Sequence, residues 1–452
     1  MKLLGDTSPT HALVQWVVDS QWADIDVSTK TSVASSWMNW LACALGGANS
    51  PDADRLIRAL APFGRGDAQL IGRAEKFDPA NAALIHAFTS NILDYDDTHW
   101  PTGIHPAGTV ASALVAWASQ TVVSGEDFLH AFLLGMEVEC RIGLAVSPGH
   151  YERGWHITAT CGVFGAAIAV GRLMRLEPQQ MAWAVGHAAT QSSGLVASLG
   201  TMAKSLNIAH AARNGLLSAQ LARHGISAND QVLEARFGFS EVMGSRPLDE
   251  SICKGLGQNW IASHNTYKPY PCGFLLHPTL DACLAIDDVP IFALGDIERI
   301  TVNVHSLAQI RADRIHPLDG LESKLSLQHA VAIALLRGEA GVRNFTDDAA
   351  NDLVVHACRE KITVVAEEDL SKDEARVVIH LQSGQVITRS MSEPQPPMSQ
   401  QALEQKFREL VAFGAPHCNA DELLETLVRF PNMTNAADLI AMTVSQSSSD
   451  AV

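Results

Sequence analysis

Apolar residues recur at helical spacing through most of the first 265 positions and at strand spacing in several short runs after them. "THALVQWVVDSQ", 10–21, predicts a helix with Thr10 as its cap. "SSWMNWLACALGGA", 35–48, predicts another that stops at its glycine pair. "GEDFLHAFLLGMEVECRIGLAV", 125–146, puts Glu126 and Asp127 in a first turn and an apolar stripe through Leu129, Phe132, Leu133 and Met136. "TATCGVFGAAIAVGRLM" and "NIAHAARNGLLSAQLARHG" are rich in alanine and glycine. Small side chains let helix axes approach closely, so both are expected to be central helices of a bundle, and packing explains their composition.

After about residue 265 the period shortens. "IERITVNVHS", 297–306, aligns Ile300, Val302 and Val304 on one face of a strand. "KITVVAEEDL" and "ARVVIHLQSGQVITRSM" read as further strands, the second a hairpin around Ser383-Gly384. Between them "LSLQHAVAIALLRG", 325–338, reads as a helix ending at Gly338. "EPQPPMS", 393–399, is a proline-rich crossing linker. "SQQALEQKFRELVAFG" returns to helix with apolar residues at 403, 407, 410 and 411, and the last residues, "SQSSSDAV", are expected to fray. The expected organisation is a helical domain over 1–265, an α+β lid domain over 266–395, and C-terminal helices over 396–452 that return to the helical domain. The fold class is mainly α.

Composition adds three constraints. The 452 residues are 47% hydrophobic and 18% charged, enough to bury a large core. The net charge is −17, which argues against nucleic-acid and anionic-membrane partners and requires an anion site to gather its cations locally. Eight cysteines at 43, 140, 161, 253, 272, 283, 358 and 418 form no CxxC pair, and most lie in apolar company, so most read as buried free thiols of an intracellular protein, expected to be cytoplasmic. The N-terminus has no signal-peptide apolar run. The longest near-apolar stretch, 161–171, is too short to span a bilayer.

No Walker A sequence, strand-linked GxGxxG, GxSxG elbow or HExxH is present. His99 and His105 lack a third ligand nearby, so no metal is assigned. No cofactor is expected, and any chemistry falls to ordinary side chains.

Four stretches could carry it. "DYDDTHWPTGIHPAGTV", 94–110, puts three aspartates, a threonine and two histidines between apolar segments. Asp94 and Thr98 are four apart, so a helical turn would align them. Capping is the competing reading: Asp96 or Asp97 would cap a helix beginning near Thr98, and His105-Pro106 would open the next. It accounts less well for Asp94 and His105. "GHYERGWHITATCGVFG", 149–165, places His156 at the start of an apolar helix. There the dipole disfavours the cation and keeps the imidazole neutral, unless it merely satisfies a backbone group. "SLGTMAKSLNIAHAARNG", 198–215, puts Lys204 in small-residue surroundings, where an anionic substrate or an aspartate would justify it. "HNTYKPYPCGFLLHP", 264–278, sets Lys268, Tyr270 and His277 in a proline-broken loop at a domain boundary, a usual place for ligands and equally for a rigid hinge. Cations of this kind hold carboxylates and stabilise an enolate, while a neutral histidine or an aspartate removes a proton alpha to a carboxylate. The chemistry is β-elimination, decarboxylation or epimerisation.

On these pieces the chain resembles the MmgE/PrpD family of 2-methylcitrate dehydratases, cis-aconitate decarboxylases and iminodisuccinate epimerase. The resemblance rests on "LDYDDTHWPTGIHPAG", "GMEVECRIG", "GWHITATCGVFGAA", "GTMAKSLNIAHAARNG", "KPYPCGFLLHP", "KLSLQHAVAIALLRG" and the "KF" at 406–407, in order over nearly the whole chain. It implies a large helical domain built from both chain ends, a smaller α+β lid, and a homodimer acting on a small di- or tricarboxylate. It carries the family's pocket residues to Asp94, Thr98, His105, His156, Lys204 and Lys268. Two departures stand out. Animal-type cis-aconitate decarboxylases have a histidine where this chain has Gly273, with His277 four residues on, and family members often have a histidine where it has Asn207.

The resulting expectation is a cofactor-independent dehydratase of a 2-methylcitrate-like or 2-alkylcitrate acid. Asp94, His105, His156 and Lys204 would be catalytic, and Thr98, Lys268, His277 and Tyr270 would bind substrate. An epimerase of a dicarboxylate such as iminodisuccinate ranks second and a cis-aconitate decarboxylase third. A non-catalytic polycarboxylate binder or dimerising protein is disfavoured because the basic set is present.

Overall fold

The computed structural model describes residues 8–64, 66–244, 248–285, 292–392 and 397–444. The extreme N-terminus, most of the proline-rich linker and the serine-rich tail lie outside the described residues. The chain divides into two compact units, one of residues 1–92, 96–267 and 399–452, the other of 93–95 and 268–398. Twenty α-helices and a small mixed sheet make it mainly α among the described residues.

The first unit is helix on helix. α1 (Pro9–Asp19) is capped by Ser8 rather than Thr10; Thr10 is buried and donates to Glu234 at 2.5 Å. α2 (Val27–Ala48) ends one residue after the Gly46-Gly47 pair, where the sequence placed its stop. A Cβ on Gly47 would lie 2.1 Å from the Thr89 carbonyl, so the glycine serves close packing rather than termination. The neighbour it meets is α3 (Pro79–Asn91), capped by Asp78.

No helix begins at Thr98. Residues 97–99 form β1 (Asp97–His99), and Asp94 sits in a turn with φ 53°. The helical-turn alignment of Asp94 with Thr98 is therefore wrong. Residues 97–99 are held extended by antiparallel pairing with Asn265–Tyr267, and the left-handed φ of Asp94 breaks a right-handed turn. α4 (Pro106–Ala118) and α6 (Ile157–Leu173) are fully or almost fully buried, with α5 (Gly125–Val146) packed on α6. α5 begins at a Ser124 cap with Glu126 and Asp127 in its first turn. Gly135 and Gly165 bring α5 and α6 together, since a Cβ on Gly135 would lie 2.7 Å from the Gly165 carbonyl. α7 (Ala203–Arg223) crosses α3, α4 and α6, and β2 (Asn265–Tyr267) pairs antiparallel with β1. The helix Gln400–Gly414 buries Leu403, Phe407, Leu410 and Val411 and packs on α2.

The second unit is α+β. α8 (His277–Leu284) is followed by β3 (Ile297–Val304), α9 (Leu327–Arg337), α10 (Leu353–Arg359), β4 (Ile362–Ala366), β5 (Ala375–Leu381) and β6 (Val386–Met391). The sheet order is β4-β3-β5-β6, with β3 and β4 parallel and the other pairs antiparallel. Ile300, Val302 and Val304 are buried on one face together with Val377 and Ile379. Gly338, in the left-handed region at φ 68°, ends α9. All eight cysteines are free thiols, six of them buried, and no described helix is long and apolar enough to cross a membrane.

Candidate active site

In the first unit the site grows from the β1–β2 ladder, in which Thr98 opposes Thr266 and Asp97 opposes Tyr267. The Thr266 hydroxyl donates to the Thr98 carbonyl at 2.9 Å, clamping the strand. Asp97 points inward and is wholly buried. Its Oδ2 accepts from the Ala107 backbone N–H at 3.0 Å and from Asn265 at 2.5 Å. Asp97 thus does cap a helix, but that helix is α4, ten residues on, rather than one beginning near Thr98. Burial pushes its carboxyl up to about 7; the Asn265 bond opposes this and the Asp96 charge adds to it. Burial also holds the Glu139 carboxyl well above the ordinary range, against a 2.9 Å hydrogen bond from Thr109.

His105 and His156 occupy equivalent places, each the residue before the first turn of a buried helix. Neither imidazole caps its own helix. The His105 backbone N–H donates to the Thr158 hydroxyl at 3.2 Å, so the N-termini of α4 and α6 lie side by side. Two adjacent helix N-termini put the positive ends of their dipoles together, a setting that favours negative charge. The His105 side chain is tied down. Its Nδ1 lies 2.6 Å from the Asp97 carbonyl oxygen, 3.3 Å from the Thr98 hydroxyl and 3.8 Å from Asp96 Oδ2. A carbonyl only accepts, so Nδ1 carries a proton, and in the neutral ring the lone pair would be on Nε2.

Lys204 is the second residue of α7 and half-buried. The adjacent Ser205 donates to Asn91 Oδ1 at 2.8 Å, and Asn91 donates to Asp96 Oδ2 at 2.6 Å. A buried polar chain therefore runs from the start of α7 through the end of α3 to Asp96 and His105. His99 stands apart from it: its Nδ1 meets the Thr102 hydroxyl at 2.8 Å, and burial lowers its ring to about 4.

The second unit holds the remaining candidates. Lys268 Nζ lies 2.7 Å from Asp94 Oδ1 and 3.1 Å from the Asp94 carbonyl. The left-handed backbone of Asp94 presents both oxygens to one ammonium. Tyr270 donates to Asp281 Oδ1 at 2.7 Å, and its ring meets His277 edge-on at 5.5 Å. Burial raises the Asp281 carboxyl to about 6, opposed by the Tyr270 bond. His277 Nε2 lies 3.3 Å from the Cys272 carbonyl. Gly273 donates to the Lys324 carbonyl at 3.0 Å, and a Cβ there would come within 3.1 Å of Leu325.

The sequence candidates therefore form two sets. Thr98, His105, His156 and Lys204 belong to the first unit, and Asp94, Lys268, Tyr270 and His277 to the second. Sequence reasoning missed Asn91, Ser205, Glu139, Asn265 and Asp281. The amides and the serine carry no spacing signal; the acids sit at buried phases of amphipathic helices, the one clue that was available.

Residues 11–250 match the MmgE/PrpD N-terminal domain and residues 270–429 the MmgE/PrpD C-terminal domain. A cis-aconitate decarboxylase-like protein of Aspergillus oryzae is 26% identical over 96% of each chain. A cis-aconitate decarboxylase of Aspergillus terreus is 26% identical over 96% of this chain and 95% of its own. A 2-methylcitrate dehydratase of Cupriavidus necator is 23% identical over 74% of this chain and 72% of its own. With both domains matched in order along the sequence, the chain belongs to the MmgE/PrpD family.

Proposed function

We propose that the chain is a cofactor-independent dehydratase acting on a 2-methylcitrate-like or 2-alkylcitrate polycarboxylate. The observation that carries this reading is the 2.6 Å contact of His105 Nδ1 with the Asp97 carbonyl oxygen, which assigns Nδ1 as the donor and Nε2 as the base. Elimination needs such a base, whereas loss of CO₂ needs only an acid for the carbanion. His105 Nε2 takes the proton alpha to a carboxylate. The released electron pair forms the double bond as the C–O bond breaks, and Lys204 gives the proton with which hydroxide leaves as water, while the neutral His156 ring hydrogen-bonds the substrate. Lys204 and the N-termini of α4 and α6 hold the carboxylates and the developing enolate. Asp96, 3.8 Å from His105, favours the imidazolium formed on the way. Thr98 fixes the ring, and Lys268, Tyr270 and His277 are assigned to substrate binding with Asp94 orienting Lys268. We also assign a homodimer in the cytoplasm, testable by light scattering and by cell fractionation.

Decarboxylation of cis-aconitate is the second reading, favoured by the decarboxylase of Aspergillus terreus that aligns along nearly the full length. Proton NMR in D₂O with 2-methylcitrate, citrate, cis-aconitate and iminodisuccinate separates the outcomes. An alkene formed from a citrate-type acid supports the dehydratase. CO₂ loss from cis-aconitate alone replaces it with the decarboxylase, and deuterium exchange at a retained C–H with neither change replaces it with an epimerase.

A further inference from the structure

Away from these residues, the second unit gathers three metal-ligating side chains on its surface. His356 and Glu360 are one turn apart at the end of α10, where the Glu360 N–H donates to the His356 carbonyl at 3.3 Å. His316 comes from the short segment after the helix Ser306–Ala312. The rings of His316 and His356 stack at 5.6 Å with 22° between their planes, and His316 Nδ1 lies 3.4 Å from Glu360 Oε1. One ligand atom from each residue falls within 4.8 Å of the other two.

Both supports are anchored. The segment before His316 is pinned to the start of α9: Arg314 N–H donates to Gln328 at 3.1 Å, Gln328 to Asp313 at 2.5 Å, and Ser326 to the Arg314 carbonyl at 2.5 Å. α10 is capped by Asp352 and held by the buried Arg359, which donates to the Ala350 carbonyl at 2.9 Å. Three donors on two fixed supports lose little freedom when they close on an ion.

We propose that His316, His356 and Glu360 bind a borderline divalent transition-metal ion of the Zn²⁺ type, with the fourth position open to solvent. Two imidazoles and one carboxylate suit that class, whereas an oxygen-only shell would suit Mg²⁺ or Ca²⁺. Metal–ligand bonds of about 2 Å put tetrahedral ligand atoms roughly 3.3 Å apart, so exposed side-chain rotations complete the closure. The bland alternative is a surface ion pair between His316 and Glu360, which contributes little by itself and gives His356 no part. The chain's net charge of −17 adds a favourable field for cations. An ion bound here would tie the 313–318 segment to α10.

The test is isothermal titration of the full chain with ZnCl₂, repeated with a chromogenic chelator as competitor. The expected result is one ion per chain with micromolar affinity, weakened roughly tenfold or more in His316→Ala and in His356→Ala, and several-fold in Glu360→Gln. All three are exposed, so circular dichroism should show the variants folded. The chain has 18 histidines and 8 cysteines, so binding elsewhere is a real outcome. Unchanged affinity in both histidine variants would overturn the proposal, as would no binding by the wild type at about 100 µM Zn²⁺.

Discussion

His105 Nδ1 lies 2.6 Å from the Asp97 carbonyl oxygen, so the strand that carries Thr98 also sets which nitrogen of the imidazole is basic. Removing that base should cost about 10²- to 10⁴-fold in kcat while leaving the fold intact. His105→Ala and Lys204→Ala are expected to abolish turnover in the NMR assay, with circular dichroism spectra like the parent's. Parent-like turnover in either would remove that residue from the site.

Asp94 and Lys268 are a largely buried pair at 2.7 Å. Replacing either alone strands the other charge and should destabilise by about 3–5 kcal/mol, whereas the double replacement Asp94→Asn with Lys268→Met should cost less than the sum. Urea unfolding of the four proteins gives the cycle. Additive losses would mean that the pair is not coupled.

The Asp97 carboxyl, raised to about 7 by burial, gives stability a definite slope. The folded state holds this proton up to about 7 while the unfolded chain releases it near 4, so between those values the unfolded state binds fewer protons and stability falls as pH rises. The contribution is on the order of 3–4 kcal/mol across the window. Asp97→Asn should flatten this part of a Tm-against-pH curve, between about 4 and 7. An unchanged slope would place the titration elsewhere.

A methyl group on Gly215 would lie 2.7 Å from the Val163 carbonyl and 2.8 Å from the Ala167 nitrogen, both backbone atoms of α6. Gly215→Ala should therefore destabilise by roughly 1–3 kcal/mol despite its gain in helix propensity, and thermal unfolding measures it. A stabilised variant would show that α7 can move off α6.

These cases show what a one-dimensional reading retains. The period of the apolar positions revealed α5, α9 and β3 almost to the residue, because burial on one face is a local constraint. Gly46 and Gly47 marked the end of α2 to within a residue, although Gly47 is there for a close helix contact and not for a left-handed stop. Thr98 and Asp97 misled it. Their strand exists because Asn265–Tyr267 lies beside it, 168 residues away, and no local spacing records that pairing. His105 and His156 were legible as helix starts, while the amide and hydroxyl partners that connect Lys204's helix to Asp96 were not.

The buried thiols offer a final consequence. Cys140 and Cys161 lie deep in the first unit, and Cys272 and Cys283 in the second; burial pushes all four thiols up. Alkylation needs an exposed thiolate, so each is protected until its own unit opens. Mass-resolved labelling over time thus turns the cysteines into two independent clocks, one timing the breathing of the helical unit and one that of the α+β unit, with no substitution required.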